Sequence, residues 1–346
     1  MAALILLFSM AGTVTRRADA MREAVAEEHY HDGLAEEQAG HKQEAEARFR
    51  AALAVSRDHP PYRLALARVL LGQGRWQEAE NHLKELAALD PTNGAVNLFL
   101  ARARRAGSDW EGAVGDYQRA IYGYWPAEES SQRVIAREEM VKMLALRQSW
   151  RRLMPELMQW RDELPPSSPK LRQVADLFLQ AGEPADSAAV WAKLRDANPK
   201  DASLQLGLAK AEFAAGNYLA AQAAYREALK LDRQVTAAKD GVELTGAILS
   251  LDPTQRRLSA KERLARAIRL VEVVTSEYES CESGPELEAA KQKLALIRRR
   301  GSRDQAADDW IQLAEQLWQR RAAACGGISA HNPALAYVLA RLEKTA

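Results

Sequence analysis

G-R-W-Q-E-A-E-N-H-L (74–83) and G-N-Y-L-A-A-Q-A-A-Y (216–225) decide how this chain is read. In each, a glycine stands five residues before a small residue, Ala79 or Ala221, and a large apolar residue, Leu83 or Tyr225, stands four after it. Glycine admits the positive φ that ends one helix and lets the chain reverse into the next. Residues four apart share a helical face. The small residue is a marker that recurs: Ala45, Ala79 and Ala113 are 34 residues apart, and Leu153, Ser187 and Ala221 repeat the same step. Phe49, Leu83, Tyr117, Leu157, Trp191 and Tyr225 follow the markers by four, and Ala52, Leu86, Ala120, Trp160, Leu194 and Ala228 follow by seven. Marker, fourth and seventh residue form one stripe, so each marker helix has a single buried edge. A fixed period of this length signals stacked helical hairpins.

The rest of each unit agrees. Gly40, Gly74, Gly182 and Gly216 lie five before their markers, and Gly107 lies six before in the third unit. Gly33, Ala67, Ala101, Ala175 and Ala209 lie twelve before and allow two helices to approach closely. Prolines close the units at His59-Pro60, Asp90-Pro91, Trp125-Pro126, Pro165-Pro166 and Asn198-Pro199. The step from Ala113 to Leu153 is 40, so six extra residues enter, and A-E-E-S-S-Q-R (127–133) reads as a longer polar loop. The fourth unit departs furthest, with Leu153 as its marker and Pro155 inside its second helix.

These residues resemble the tetratricopeptide repeat family over residues 26–233, as six units. The resemblance implies an all-α, right-handed helical solenoid whose first helices line a concave groove for protein partners. The outward position of that family falls here on Leu34, Arg68, Arg102, Lys142, Asp176 and Lys210. Four of these six are basic, so an acidic or extended partner segment would be attracted. A solvated face whose charges pair with acids such as Glu138 or Glu139 is the competing reading. Tyr30, Leu64, Leu98 and Leu206 would add apolar anchors. Some family members grip a chaperone's C-terminal carboxylate with a Lys/Asn clamp. The matching positions here are Tyr30, Leu34, Ala65, Ala95 and Phe99, so that role is not implied.

Beyond about residue 236 the period is lost, and residues 234–346 read as a helical bundle that caps the stack. Helices are expected at about 236–251, after Ser259 to about 279, at 285–299, at 304–324 and after Asn332-Pro333. Ser259 and Glu262 have capping-box spacing. If the helices at 285–299 and 304–324 form a hairpin, Cys281 and Cys325 come level and a disulfide is geometrically open to them. Two unrelated small residues is the equal alternative.

Residues 1–25 form an apolar N-terminal segment leading into a helix. Its run at 2–14, followed by Arg16 and Arg17, reads as a membrane anchor or signal core, or as the first turns of a capping helix. It points to a bacterial, membrane-associated protein, periplasmic or alternatively cytoplasmic. Net charge is +1, which argues against nucleic acid as a partner. The sequence holds no phosphate-binding loop, nucleophile elbow or paired metal-binding histidines, so no catalytic residue, metal or cofactor is expected. The expected function is a non-enzymatic scaffold binding proteins through Tyr30, Leu64, Arg68, Leu98, Arg102, Lys142 and Lys210. Envelope-associated assembly is a narrower form of it. The alternative is an accessory subunit or weak enzyme with a site in the C-terminal bundle.

Overall fold

Ala45, Ala79, Ala113, Leu153, Ser187 and Ala221 are fully buried, and the large residues four positions on are buried with them. That stripe organises the fold. The computed structural model describes the backbone of residues 2–280, 284–300, 306–324 and 331–343. Side chains are described over 20–280, 284–297, 306–323 and 331–343. Seventeen α-helices and no strand occur among these residues. The chain divides into two compact units, Met1–Glu163 and Leu164–Ala346.

The first unit holds four hairpins: α1 (Ala2–Gln38) with α2 (Lys42–Val55), α3 (Pro60–Gly72) with α4 (Trp76–Leu89), α5 (Gly94–Ala106) with α6 (Trp110–Tyr122), and α7 (Gln132–Leu146) with α8 (Trp150–Glu163). Each helix packs on the next in chain order. The first helices also touch one another, α1 with α3, α3 with α5 and α5 with α7, more closely than the second helices do. The first helices therefore form the tighter, inner face of this unit. Gly33 shows how tightly the layers fit: a Cβ there would come within 2.6 Å of the Phe49 ring.

The hairpin turns share one geometry. Gly40 and Gly74 take φ of 84° and 80°, as expected from their spacing. In the third unit Gly107 does not serve the turn. Ser108 does, at φ 63°, and in the fourth unit Gln148 does, at φ 52°. Gly107 is small for another reason, because a Cβ there would lie 2.5 Å from the Trp76 indole. The same bond pair closes each reversal. In the second hairpin, Gly74 N–H donates to Leu71 O at 3.0 Å and Arg75 N–H to Leu70 O at 2.9 Å, a Schellman arrangement.

The residues just before the insertion form a docked corner. Gly94 N–H donates to Tyr124 O and Tyr124 N–H to Thr92 O, each at 2.8 Å. Trp125 lies buried in the space left by Gly94 and donates from Nε1 to Ala120 O at 2.7 Å. A single 3-10 turn at Ala127–Glu129 then leads into α7.

The second unit contains α9 (Lys170–Gln180), α10 (Pro184–Ala197), α11 (Ala202–Ala214), α12 (Tyr218–Leu231) and α13 (Thr236–Leu251). It continues with α14 (Ala260–Glu279), α15 (Pro285–Arg300), α16 (Ala307–Ala324) and α17 (Pro333–Glu343). Gly182 and Gly216 make the left-handed turns here, at φ 83° and 76°. Trp191 of α10 covers Gly207 of α11, and Tyr225 of α12 covers Gly241 of α13, 16 residues on in both cases. So α13 stands where the first helix of a seventh repeat would stand. The period is carried one helix further than the spacing of markers reveals.

The helices expected beyond this point are present, and the Ser259–Glu262 capping box is formed. Their pairing differs from the expected hairpin. α16 packs mainly on α14, with α15 touching both more lightly, and α17 lies on α13. Leu270, Val274, Trp310, Leu317, Leu335 and Leu339 share the resulting core. Cys281 and Cys325 lie outside the described residues. Among the described residues, no helix is long and apolar enough to cross a membrane.

Candidate functional site

The inner face of the first unit repeats a three-position pattern. Positions fifteen, eleven and eight before each marker share one side of the first helix. They are Tyr30, Leu34 and Glu37 on α1, Leu64, Arg68 and Leu71 on α3, Leu98, Arg102 and Arg105 on α5, and Glu138, Lys142 and Ala145 on α7. Leu34, Leu64, Leu71 and Phe99 are half-buried, packed on the core beneath with one side open. Tyr30 is also half-buried, with its ring 5.9 Å from Phe49 and 4.8 Å from Tyr62. Leu98, at 1% exposed, faces the interior instead.

Each basic residue of this row lies on a carboxylate. Arg68 Nε donates to Glu37 Oε1 at 2.6 Å, and its Nη2 pairs with Glu37 Oε2. Arg102 Nη2 donates to Glu139 Oε1 at 2.7 Å and its Nε to Oε2 at 3.1 Å. Its guanidinium stacks 5.0 Å over the Phe99 ring. Tyr117 also donates to Glu139, at 2.9 Å. Burial, with the charge of Glu139 added, pushes the Tyr117 hydroxyl well above the ordinary phenol value. Lys142 Nζ sits 2.5 Å from Glu138 Oε1. The cations are thus locally neutralised, and a row of bare positive charge is not what a partner meets. Paired, half-exposed charges contribute little by themselves.

Specific donors are left over. Arg68 and Arg102 each use Nε and Nη2, and Nη1 of each has no partner among the described residues. A guanidinium already oriented by a carboxylate loses less freedom when it binds again. The inner face therefore offers half-buried apolar side chains interrupted by two fixed guanidinium edges.

In the second unit Lys210 of α11 is exposed, and Asp176 of α9 is close enough to feel its charge. The candidates Cys281 and Cys325 cannot be placed, lying outside the described residues. Glu37 and Leu71 were not among the residues picked out by sequence. Their position eight before the marker, on the same face as the other two, was the available signal.

Models of the tetratricopeptide repeat match residues 38–103, 70–115 and 174–236. No curated protein matches the chain. Among solved structures it is similar to the C-terminal part of a TPR repeat-containing protein from Cytophaga hutchinsonii. The identity is 12% and the TM-score 0.46, covering 87% of this chain and 99% of that one. It is also similar to YrrB, described as a TPR protein with an unusual peptide-binding site, at 11% identity and TM-score 0.44, covering 56% of this chain and 97% of that one. PilF of Pseudomonas aeruginosa is similar at 15% identity and TM-score 0.43, covering 63% of this chain and 97% of that one. With its buried markers, Schellman turns and matched repeat models, this is an all-α chain that carries tetratricopeptide repeats over residues 38–115 and 174–236.

Proposed function

We propose that this chain is a non-catalytic scaffold whose first unit captures an extended segment of a partner protein along α1, α3, α5 and α7. The observation that carries this reading is the half-buried apolar row Tyr30, Leu34, Leu64, Leu71 and Phe99, set between the Arg68–Glu37 and Arg102–Glu139 pairs. An extended segment keeps its backbone carbonyls unpaired and presents alternate side chains to one side. The free Nη1 edges of Arg68 and Arg102 suit those carbonyls, and the apolar row suits the side chains. Because the cations are already paired, apolar side chains in the partner supply more of the affinity than acidic ones. Membrane attachment through residues 2–14 is the narrower part of the same proposal, motivated by their uncharged, mainly apolar composition.

The test is affinity capture from native cells with the full chain, with the Leu64→Asp, Leu71→Asp double variant, and with residues 1–17 removed. The double variant is expected to lose the partner while its far-ultraviolet circular dichroism is unchanged. Removing residues 1–17 is expected to leave capture intact and release the protein from the membrane fraction. Undiminished capture by the double variant would refute the inner-face reading.

A further inference from the structure

The second unit holds a cavity of about 780 Å³ between α13 and α14, with the start of α17 at one end. Its position follows from the repeat register. Tyr225 fixes α13 as a first helix, and the same register that places Leu206, Lys210 and Phe213 on one side of α11 places Asp240, Leu244 and Ala247 on the matching side of α13. Those three α13 residues line the cavity. In a continuing array the next hairpin would lie alongside. Here α14 stands apart from α13 at this level and leaves the space open, with Val273 as its apolar contribution.

Leu244, Ala247 and Val273 are half-buried and form the floor. Asp240, Glu243 and Glu272 supply carboxylates to the lining, and no lysine or arginine lines it among the described residues. Asp240 and Glu243 are exposed, and their carboxylates have no hydrogen-bond or ion-pair partner among the described residues. A fourth carboxylate, Glu277, is committed to the wall: it accepts from His331 N–H at 2.9 Å and Asn332 N–H at 2.8 Å. The wall is thus held in place while two neighbouring acids on α13 stay available. Unpaired carboxylates set beside an apolar floor complement a ligand that is cationic at its edges and apolar in the middle.

We infer that this cavity is a second docking site, and that its occupant is a basic segment of a partner protein in which lysines or arginines flank large aliphatic side chains. It differs from the inner face of the first unit in place and in charge. Its aliphatic residues sit on Leu244, Ala247 and Val273, and its cations meet Asp240 and Glu243.

Fluorescence anisotropy of the full chain with labelled Lys-Lys-Leu-Leu-Lys-Lys tests this, with Glu-Glu-Leu-Leu-Glu-Glu as the charge-reversed control. The basic peptide is expected to bind, the acidic one not, and added salt to weaken binding. Asp240→Lys with Glu243→Lys should weaken it about tenfold or more, at an exposed site that leaves helix content unchanged. Leu244→Ser should weaken it as well, with the fold checked by circular dichroism. Equal binding of both peptides, or failure of the wild-type chain to bind the basic one, overturns the assignment. So does binding that survives charge reversal. Loss on charge reversal but full binding by Leu244→Ser leaves only a patch that attracts cations, and that also overturns it.

Discussion

Six helix reversals need a residue in the left-handed region, and the chain supplies four glycines, Ser108 and Gln148. A side chain in that region costs about 1–2 kcal/mol relative to the right-handed basin. Ser108→Gly and Gln148→Gly should therefore each raise stability, by about 0.5–1 kcal/mol once the added freedom of the unfolded chain is deducted. Gly74→Ala should lower it by about 1 kcal/mol. Thermal unfolding of the three variants checks the signs. Two turn carboxylates, Asp90 at the end of α4 and Asp201 at the start of α11, add a dependence on pH. The Thr92 hydroxyl and N–H hold Asp90 below the ordinary aspartate value, and the Ser203 hydroxyl, against burial and with the Arg172 guanidinium, does the same for Asp201. A depressed folded value means stability that is present above the unfolded value of 3.8 and is lost as pH falls through the folded one. The melting temperature should drop on acidification below pH 3.8, and Asp90→Asn with Asp201→Asn should shrink that drop.

The helices were legible from spacing alone, because marker, fourth and seventh residue form a stripe that nothing but a helix can bury on one side. Thr236–Leu251 was legible as a helix and not as part of the array. The reason is physical. A repeat announces itself by the small residue on its second helix, and the register that would put a marker at Gln255 meets a turn there. What marks α13 is Gly241, which admits the Tyr225 ring as Gly207, 34 residues earlier, admits Trp191, so the signal lies on the first helix and not at the marker. Gly107 misleads in the same way, since its smallness serves Trp76 and not the turn beside it. The charges of the inner face were legible as residue types but not as pairs. Glu37 reaches Arg68 from the preceding repeat, and only stacking brings them together. If α13 is seated by its aromatic neighbour, Tyr225→Ala should loosen it. Loss of a buried aromatic costs about 3–5 kcal/mol, and the effect should appear as faster amide exchange across α13 than across α9. Equal acceleration throughout the second unit would speak against a local role.

At the scale of the molecule, the hairpins of the first unit do not gather around one central core. Each hairpin shelters its neighbour's apolar side, so stability is a sum over adjoining pairs. The product of that stacking is surface, and in the first unit it is surface with a definite composition. Apolar residues recur on α1, α3 and α5, Arg68 and Arg102 are held in place by carboxylates, and the binding proposed there calls for no rearrangement of the fold. Met1–Glu163 produced alone should therefore capture the same partner as the whole chain.

The central claim is that partners meet the first helices of that unit and not the second. Photocrosslinking in native cells tests it most directly, with a benzophenone side chain placed at Leu71 on α3 or at Leu89, exposed at the end of α4. A covalent partner adduct from Leu71 and none from Leu89 is the expected result. An adduct from Leu89 alone would place recognition on the opposite side of the hairpins and contradict the account.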